Sequence, residues 1–201
     1  MPHTTIPEVL ISEVGPRDGL QSVKASMPTD YKKRWITALY DAGLREIEVC
    51  SFVPAKLLPQ MADAAEVVKH ALSLPGLTVM ALVPNLRGAQ AALAAGVHKL
   101  TLPVSASAAH SLANVRKTRE EMVEEVRAIA ALRRDIAPHV KLEAGISTAF
   151  GSTVDPSRMR CNPLTTMRSP LPIPFSMTRN PSCSEPTLTL RRCTTFLSST
   201  T

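Results

Sequence analysis

The sequence lacks a long hydrophobic run. No apolar stretch approaches the roughly 18 residues that a membrane-spanning helix needs, although hydrophobic residues make up 44% of the chain. The N-terminus, Met-Pro-His-Thr-Thr-Ile-Pro, has neither the basic nor the apolar region of a secretory signal, and the first arginine is Arg17. We therefore expect a cytoplasmic protein without a membrane partner.

Cysteine is also scarce, with 4 residues in 201. Cys161, Cys183 and Cys193 show neither Cys-x-x-Cys nor Cys/His spacing, which argues against a zinc site. Cys50 ends an apolar, β-prone run, and no histidine is placed beside it in sequence to activate it. We interpret Cys50 as a core residue.

The composition changes near residue 152. Alanine, glycine, lysine and histidine are all absent from residues 152–201, which are rich in serine, threonine, proline and arginine. Six arginines there face only Asp155 and Glu185, so most of the net charge of +6 lies in this segment. The charge therefore does not indicate a nucleic-acid-binding face. We predict a body at 1–151 and an irregular, disordered tail at 152–201, which arose from a changed reading frame or is a natural basic linker.

The body alternates short apolar runs with segments of helical periodicity. The alternation predicts strands at 8–14, 46–50, 77–83, 98–104 and 140–146, with helices between them. Residues 42–49 and 95–102 share the pattern Ala-Gly-apolar-x-x-apolar-x-apolar, typical of a helix end followed by a buried parallel strand. Such alternation implies a parallel sheet, which is either a (β/α)8 barrel or an open doubly wound sheet.

The turn after the first strand separates these two architectures. Its sequence, Gly-Pro-Arg-Asp-Gly at 15–19, does not match the glycine fingerprint of a dinucleotide-binding sheet. The fold class predicted is therefore α/β, a partial TIM (β/α)8 barrel of about five β/α units followed by an irregular tail.

Several helix boundaries carry local signals. Thr29 and Asp30 predict the N-cap of the first helix. Thr118 and Glu121 have the spacing of a capping box that opens a long helix. The residues predicted to form the buried stripe of that helix are Met122, Val126, Ile129, Leu132 and Ile136.

Polar side chains follow the predicted strands at their carboxyl ends, where barrel proteins place their chemistry. Arg17 and Asp18 are adjacent opposite charges directly after a buried strand, and Glu48 lies near the end of the next one. The other polar residues at these ends are Ser51, Asn85, Ser105, Ser107 and Ser147. Arginine and carboxylates converging on one edge suit an anionic substrate, a divalent cation, or both.

Three segments resemble the hydroxymethylglutaryl-CoA lyase family of TIM-barrel metallolyases. They are E-V-G-P-R-D-G-L-Q at 13–21, I-E-V-C-S-F-V-P-A-K-L-L-P-Q-M-A-D at 47–63, and E-A-G-I-S-T-A-F-G at 143–151. The first two segments are long and specific, and the resemblance covers about 8–151. Related synthases usually have Thr-Leu before Arg-Asp-Gly, whereas this chain has Gly-Pro, which favours the lyase branch.

The resemblance implies cleavage of 3-hydroxy-3-methylglutaryl-CoA, or a related 3-hydroxyacyl-CoA, to acetyl-CoA and a keto acid. Asp18 would ligate Mg²⁺ or Mn²⁺, and Arg17 would stabilise the enolate that forms on the thioester oxygen. Glu48 would orient Arg17 or the waters of the metal. The residues implied in substrate binding are Gln21, Ser51 and Ser147.

The chain also departs from the family pattern. It contains no His-x-His pair and no histidine after His139, whereas the family completes its metal site with such a pair. Ser152 stands where the family has cysteine. A second hypothesis is therefore a catalytically inactive truncated or frame-shifted fragment, acting at most as an interaction species. Since five strands leave two sheet edges unpaired, we also expect the chain to form homo-oligomers.

Overall fold

The parallel sheet predicted from the sequence is the centre of the fold. A computed structural model describes residues 10–149 and two short strands beyond them. The strands are β1 (Ser12–Glu13), β2 (Glu46–Ser51), β3 (Thr78–Leu82), β4 (Lys99–Ser105), β5 (Lys141–Ser147), β6 (Ser176–Met177) and β7 (Leu188–Thr189). The helices are α1 (Thr29–Asp41), α2 (Ala64–Leu72), α3 (Leu86–Ala94), α4 (Ala108–Val115) and α5 (Arg119–Ile136).

Strands β1 to β5 form one parallel sheet in sequence order, and β6 pairs with β7 antiparallel. Helices connect consecutive strands, so all five carboxyl ends meet at one edge of the sheet. The sheet curls into half of a barrel, which confirms the predicted fold class. The domain boundary predicted at residue 151 lies outside the described residues and stays a prediction. The irregular tail predicted at 152–201 also lies outside them, except for the residues of β6 and β7.

The helix-facing side of the sheet is the apolar core. Ile47, Val79 and Leu100 are fully buried there, as are residues of the covering helices such as Val68 and Ile129. The α3 backbone lies close to the residue that follows β2. A Cβ at Gly88 would lie 2.6 Å from the carbonyl oxygen of Phe52. This contact explains why position 88 is glycine.

The helix ends confirm some of the local signals and correct others. Both hydrogen bonds of the Thr118–Glu121 capping box are present. The predicted N-cap of α1 is wrong, because Pro28 occupies that position and the Thr29 hydroxyl donates instead to Asp63, 2.8 Å away. Ile136 is 62% exposed, because it is the last residue of α5 and lies beyond the buried stripe.

Helix α4 is an element that the sequence analysis did not predict. It has eight residues and begins directly after the end of β4, where Ser107 caps it by accepting a hydrogen bond from the amide of His110. Its sequence, Ala-Ala-His-Ser-Leu-Ala-Asn-Val, is too short to show a clear period. Within the described residues, no helix combines the length and the apolar character needed to cross a bilayer.

The inner face of the curled sheet carries buried charged side chains beside apolar ones such as Met80. The ammonium group of Lys99 on β4 lies 3.1 Å from Glu46 on β2 and 2.7 Å from Glu143 on β5. All three side chains are nearly buried. Strand β3 separates β2 from β4, so the contact between Lys99 and Glu46 depends on the curl that brings inner-face side chains together.

We expect Lys99→Met to lower the free energy of unfolding by about 3–5 kcal/mol, because it leaves two carboxylates buried without their shared cation. Urea denaturation followed by circular dichroism measures the change. Lys69→Met, at an exposed position of α2, is the matched control and should leave stability unchanged. Equal stability of the two variants would contradict a stabilising role for this ionic contact.

Candidate active site

The turn after β1 presents two charged side chains in succession. Residues Gly15–Gly19 form a short π-helical turn, in which the amides of Arg17 and Asp18 both donate to the carbonyl of Val14, at 3.1 and 2.7 Å. The amide of Gly15 donates to the Glu13 carboxylate at 2.6 Å. A Cβ on Gly15 would lie 2.7 Å from that carboxylate and 3.3 Å from the ring of Trp35, so a side chain at this position would displace the Glu13 carboxylate.

Arg17 lies between two carboxylates. Its Nη1 is 2.8 Å from Oδ1 of Asp18, while its Nε and Nη2 lie 2.6 and 2.5 Å from Oε2 of Glu48. The Arg17 side chain is 11% exposed and that of Glu48 is fully buried. The two contacts fix the plane of the guanidinium group, because they engage different nitrogens of its rigid fork. The predicted grouping of these three residues is therefore present as a close contact.

The Glu48 carboxylate also receives a hydrogen bond from an unpredicted residue. Its second oxygen, Oε1, accepts a hydrogen bond from the hydroxyl of Thr101 on β4. Thr101 is buried on the inner face of the sheet. The sequence offered one signal for it, a polar residue in the middle of a buried strand, but nothing there indicated its partner.

Gln21 lies next to Asp18, which places a fourth predicted residue in the cluster. Its Nε2 is 3.5 Å from Oδ1 of Asp18, the same oxygen that Arg17 contacts. The glutamine amide is thus positioned to support the carboxylate. Its predicted part in substrate binding stays a prediction.

Ser51 and Ser147 lie at the carboxyl ends of β2 and β5. Ser51 is fully buried at the end of β2, and its hydroxyl has no hydrogen-bond partner within the described residues. It pairs in register with Leu82, which pairs with Thr101, so Ser51 lies on the inner face. Ser147 ends β5, three strands from β2, and its carbonyl accepts from the amide of Ala106 at 2.9 Å. Ser147 therefore lies three strands away from the strand that carries Glu48.

A second polar pair lies at the carboxyl end of β4. The hydroxyl of Ser105 is 2.8 Å from Nδ1 of His110, in the first turn of α4. Burial lowers the pKa of His110, which favours a neutral imidazole. By contrast, desolvation in the core raises the pKa of the Cys50 thiol, with the charge of Glu48 as a further cause. A thiol that stays protonated agrees with the interpretation of Cys50 as a core residue.

The donor chemistry of the cluster fits a hard divalent cation only in part. A partly exposed carboxylate such as Asp18 is a suitable oxygen ligand for Mg²⁺ or Mn²⁺. However, among the described residues no group of three histidine, cysteine, aspartate or glutamate side chains could hold a metal ion. This part of the chain therefore offers one candidate ligand rather than a complete site.

The fold and the charged cluster define the class of protein as a TIM-barrel type with polar chemistry at the carboxyl edge of its sheet. The family model described as HMGL-like matches residues 8–156. The chain therefore belongs to the HMGL-like family. This result confirms the resemblance on which the sequence analysis relied.

Comparison with individual proteins agrees with that assignment. The chain is 40% identical over 148 residues to the mitochondrial hydroxymethylglutaryl-CoA lyase of Macaca fascicularis, and 39% identical over 155 residues to the cytoplasmic 3-hydroxy-3-methylglutaryl-CoA lyase of Rattus norvegicus. These matches cover 73% and 77% of this chain, and the chain spans 45% of the length of each relative.

A solved structure shows the same likeness in three dimensions. An HMG-CoA lyase from Acinetobacter baumannii, in complex with coenzyme A and 3-methylmalate, has a TM-score of 0.68 at 32% identity. The match covers 75% of this chain and 49% of that one. The curled five-stranded sheet is therefore shared with part of a longer lyase.

We expect Arg17→Met to lower the free energy of unfolding by about 3–5 kcal/mol, because it removes the cation that faces the buried Glu48 carboxylate. Urea titration measures the loss. The double variant Arg17→Met/Glu48→Gln should recover part of it, because the buried charge is then absent. Arg87→Met, exposed on α3, is the control, and a loss no larger than the control's would exclude the ion pair as a source of stability.

We expect the stability of the chain to decrease in mild acid through His110. Because burial holds its folded-state pKa below the ordinary value of 6.5, the unfolded chain binds the proton more readily. The stability contributed by the neutral His110 side chain is complete above its pKa in the unfolded chain. It is lost as the pH falls through the lower pKa of His110 in the folded state. Urea midpoints at about pH 7.5 and about pH 5 should differ less in His110→Gln than in the wild type. His139→Gln, an exposed position, should behave as the wild type; an unchanged difference in His110→Gln would refute the assignment.

Proposed function

We propose that the chain contributes the carboxyl-edge cluster of a carbon–carbon lyase acting on 3-hydroxy-3-methylglutaryl-CoA or a related 3-hydroxyacyl-CoA. The observation that carries the proposal is the Arg17 guanidinium, held between Asp18 and Glu48 at the edge where barrel proteins bind substrate. Membership of the HMGL-like family and the lyase relatives support the substrate class. The coenzyme A bound by the Acinetobacter baumannii lyase supports an acyl-CoA.

The proposed reaction breaks the bond between C2 and C3 of the acyl chain. The 3-hydroxyl group loses its proton and becomes the ketone of the keto acid, while the bonding electrons pass to C2 and the thioester oxygen as an enolate. Protonation of C2 then gives acetyl-CoA. Negative charge therefore develops on the thioester oxygen, and a guanidinium group oriented beforehand stabilises it without reorganisation. This is the role that we assign to Arg17.

Two carboxylates have different roles in the proposal. Asp18 supplies one oxygen ligand to Mg²⁺ or Mn²⁺, a cation that polarises substrate oxygens when it is bound. Glu48 is a positioning residue, because it contacts Arg17 and is fully buried. Gln21 holds the Asp18 carboxylate in place.

The serines complete the set of residues proposed to bind substrate. Ser51 is favoured by its buried, unpartnered hydroxyl on the inner face, since such a group gains a hydrogen bond when a polar ligand atom reaches it. Ser147, at the same edge of the sheet on β5, is proposed from the family resemblance alone.

A second candidate is a protein without turnover that acts through its surfaces. The described residues include no set of three metal-ligating side chains, and the printed sequence has no histidine after His139. This candidate would account for both observations. A cytoplasmic location also stays a proposal, since the relatives named above include a cytoplasmic and a mitochondrial enzyme.

A chimaera tests whether the cluster of this chain can support the lyase reaction when a relative supplies the rest of the barrel. Residues 1–149 of this chain are joined to the part of the Acinetobacter baumannii lyase that follows its matched region. We expect metal-dependent release of acetyl-CoA from 3-hydroxy-3-methylglutaryl-CoA by the chimaera, and none above background by the 201-residue chain alone. A folded chimaera without turnover would favour the second candidate.

Substitutions in the active chimaera test the individual roles. Asp18→Asn should abolish metal-dependent turnover. Arg17→Gln should lower kcat about 10²–10³-fold, the usual effect of losing one donor to a developing anion, with little change in metal affinity. Lys69→Met is the control on α2. Normal turnover of either site variant would overturn the corresponding assignment.

A further inference from the structure

We propose that Thr101 is a positioning residue for Arg17, acting through Glu48; the inference extends the proposed function, on which its catalytic meaning rests. The hydroxyl of Thr101 and the guanidinium of Arg17 contact opposite oxygens of one carboxylate. Within the described residues, no hydrogen bond joins Thr101 directly to Arg17. Thr101 would therefore affect the chemistry only through the orientation of Glu48.

The first step of the argument concerns the freedom of the Glu48 carboxylate. Rotation about the last side-chain bond of glutamate is broad, so a single contact at one oxygen leaves the plane of the carboxylate poorly fixed. Arg17 binds Oε2 through Nε and Nη2. The hydrogen bond at Oε1 supplies a second point of attachment, from a different strand.

The direction of that hydrogen bond follows from the chemistry of the two groups. An ionised carboxylate only accepts, so the Thr101 hydroxyl must donate. Thr101 is 3% exposed and Glu48 is fully buried, so water does not substitute readily for either group. A hydrogen bond to a charged acceptor in such surroundings is stronger than one between neutral groups.

Threonine also holds its hydroxyl more firmly than serine would. Its β-branched side chain has few rotamers on a strand. Two residues before Thr101 on β4, Lys99 contacts Glu46, which lies two residues before Glu48 on β2. This ion pair also fixes the position of β4 relative to β2. The position of the hydroxyl relative to Glu48 is thus set by the backbone of β4 and by the curl of the sheet.

The resonance of the Arg17 Nε–H group in the NMR spectrum of the 201-residue chain tests the proposal. In Thr101→Val, which removes only the hydroxyl, we expect this proton to exchange with water about tenfold faster and its shift to change, because a charged hydrogen bond contributes on that scale. Thr101→Ser should restore slow exchange. Thr37→Val is the control, since the Thr37 hydroxyl donates to the Lys33 carbonyl and lies 3.0 Å from Nε2 of His70, neither of which belongs to the cluster.

A purely structural role would not give this pattern. If Thr101→Val unfolds the chain, Thr101→Cys replaces it in the test, because cysteine keeps a similar volume and is only a weak donor. The Arg17 Nε proton should then also exchange faster than in the wild type. Unchanged Arg17 exchange in a folded Thr101→Val or Thr101→Cys variant would overturn the proposal. The measurement needs neither metal nor turnover, so a chain that cleaves no thioester can still show the coupling between Thr101 and Arg17.

Discussion

The buried carboxylate of Glu48 is the constraint on which the site depends. A carboxylate with no exposed surface is unstable in a folded protein unless cations and hydrogen-bond donors surround it. Here Arg17 comes from the turn after β1, and Thr101 comes from β4. The conformation of that turn, the curl of the sheet and the orientation of the guanidinium group are therefore coupled to one side chain on β2.

Two residues earlier along β2 and β4, buried carboxylates again depend on a cation. Lys99 stands between Glu46 and Glu143, so the inner face has a second ionic contact that joins β2, β4 and β5. The outer face of the same strands is wholly different, because Ile47, Leu100 and their neighbours pack against the helices. The alternation of side chains along each strand thus separates an apolar side, which packs against the helices, from a side that carries the buried charged groups together with Met80.

The sequence predicted those parts of the structure that depend on local patterns. Apolar runs and the repeated Ala-Gly pattern indicated the five strands. Polar residues at the carboxyl ends of the first two strands, together with the family resemblance, indicated the cluster of Arg17, Asp18 and Glu48. The contacts of Thr101 and Lys99 were not predictable, because they cross from β2 to β4 and so depend on the curl rather than on spacing. The wrong N-cap at Thr29 has a similar origin: its hydroxyl is used by Asp63, which is distant in sequence.

The contacts of Asp18 couple the proposed metal ligand to Arg17. One oxygen of Asp18 faces both Arg17 and Gln21, so the residue proposed as a metal ligand also contributes to holding the guanidinium group. Changing it to asparagine removes a charge that acts on two partners at once. In the proposed lyase, its effect on turnover would therefore combine lost metal affinity with a displaced Arg17, and measuring metal binding and the Arg17 resonance in the same variant separates the two.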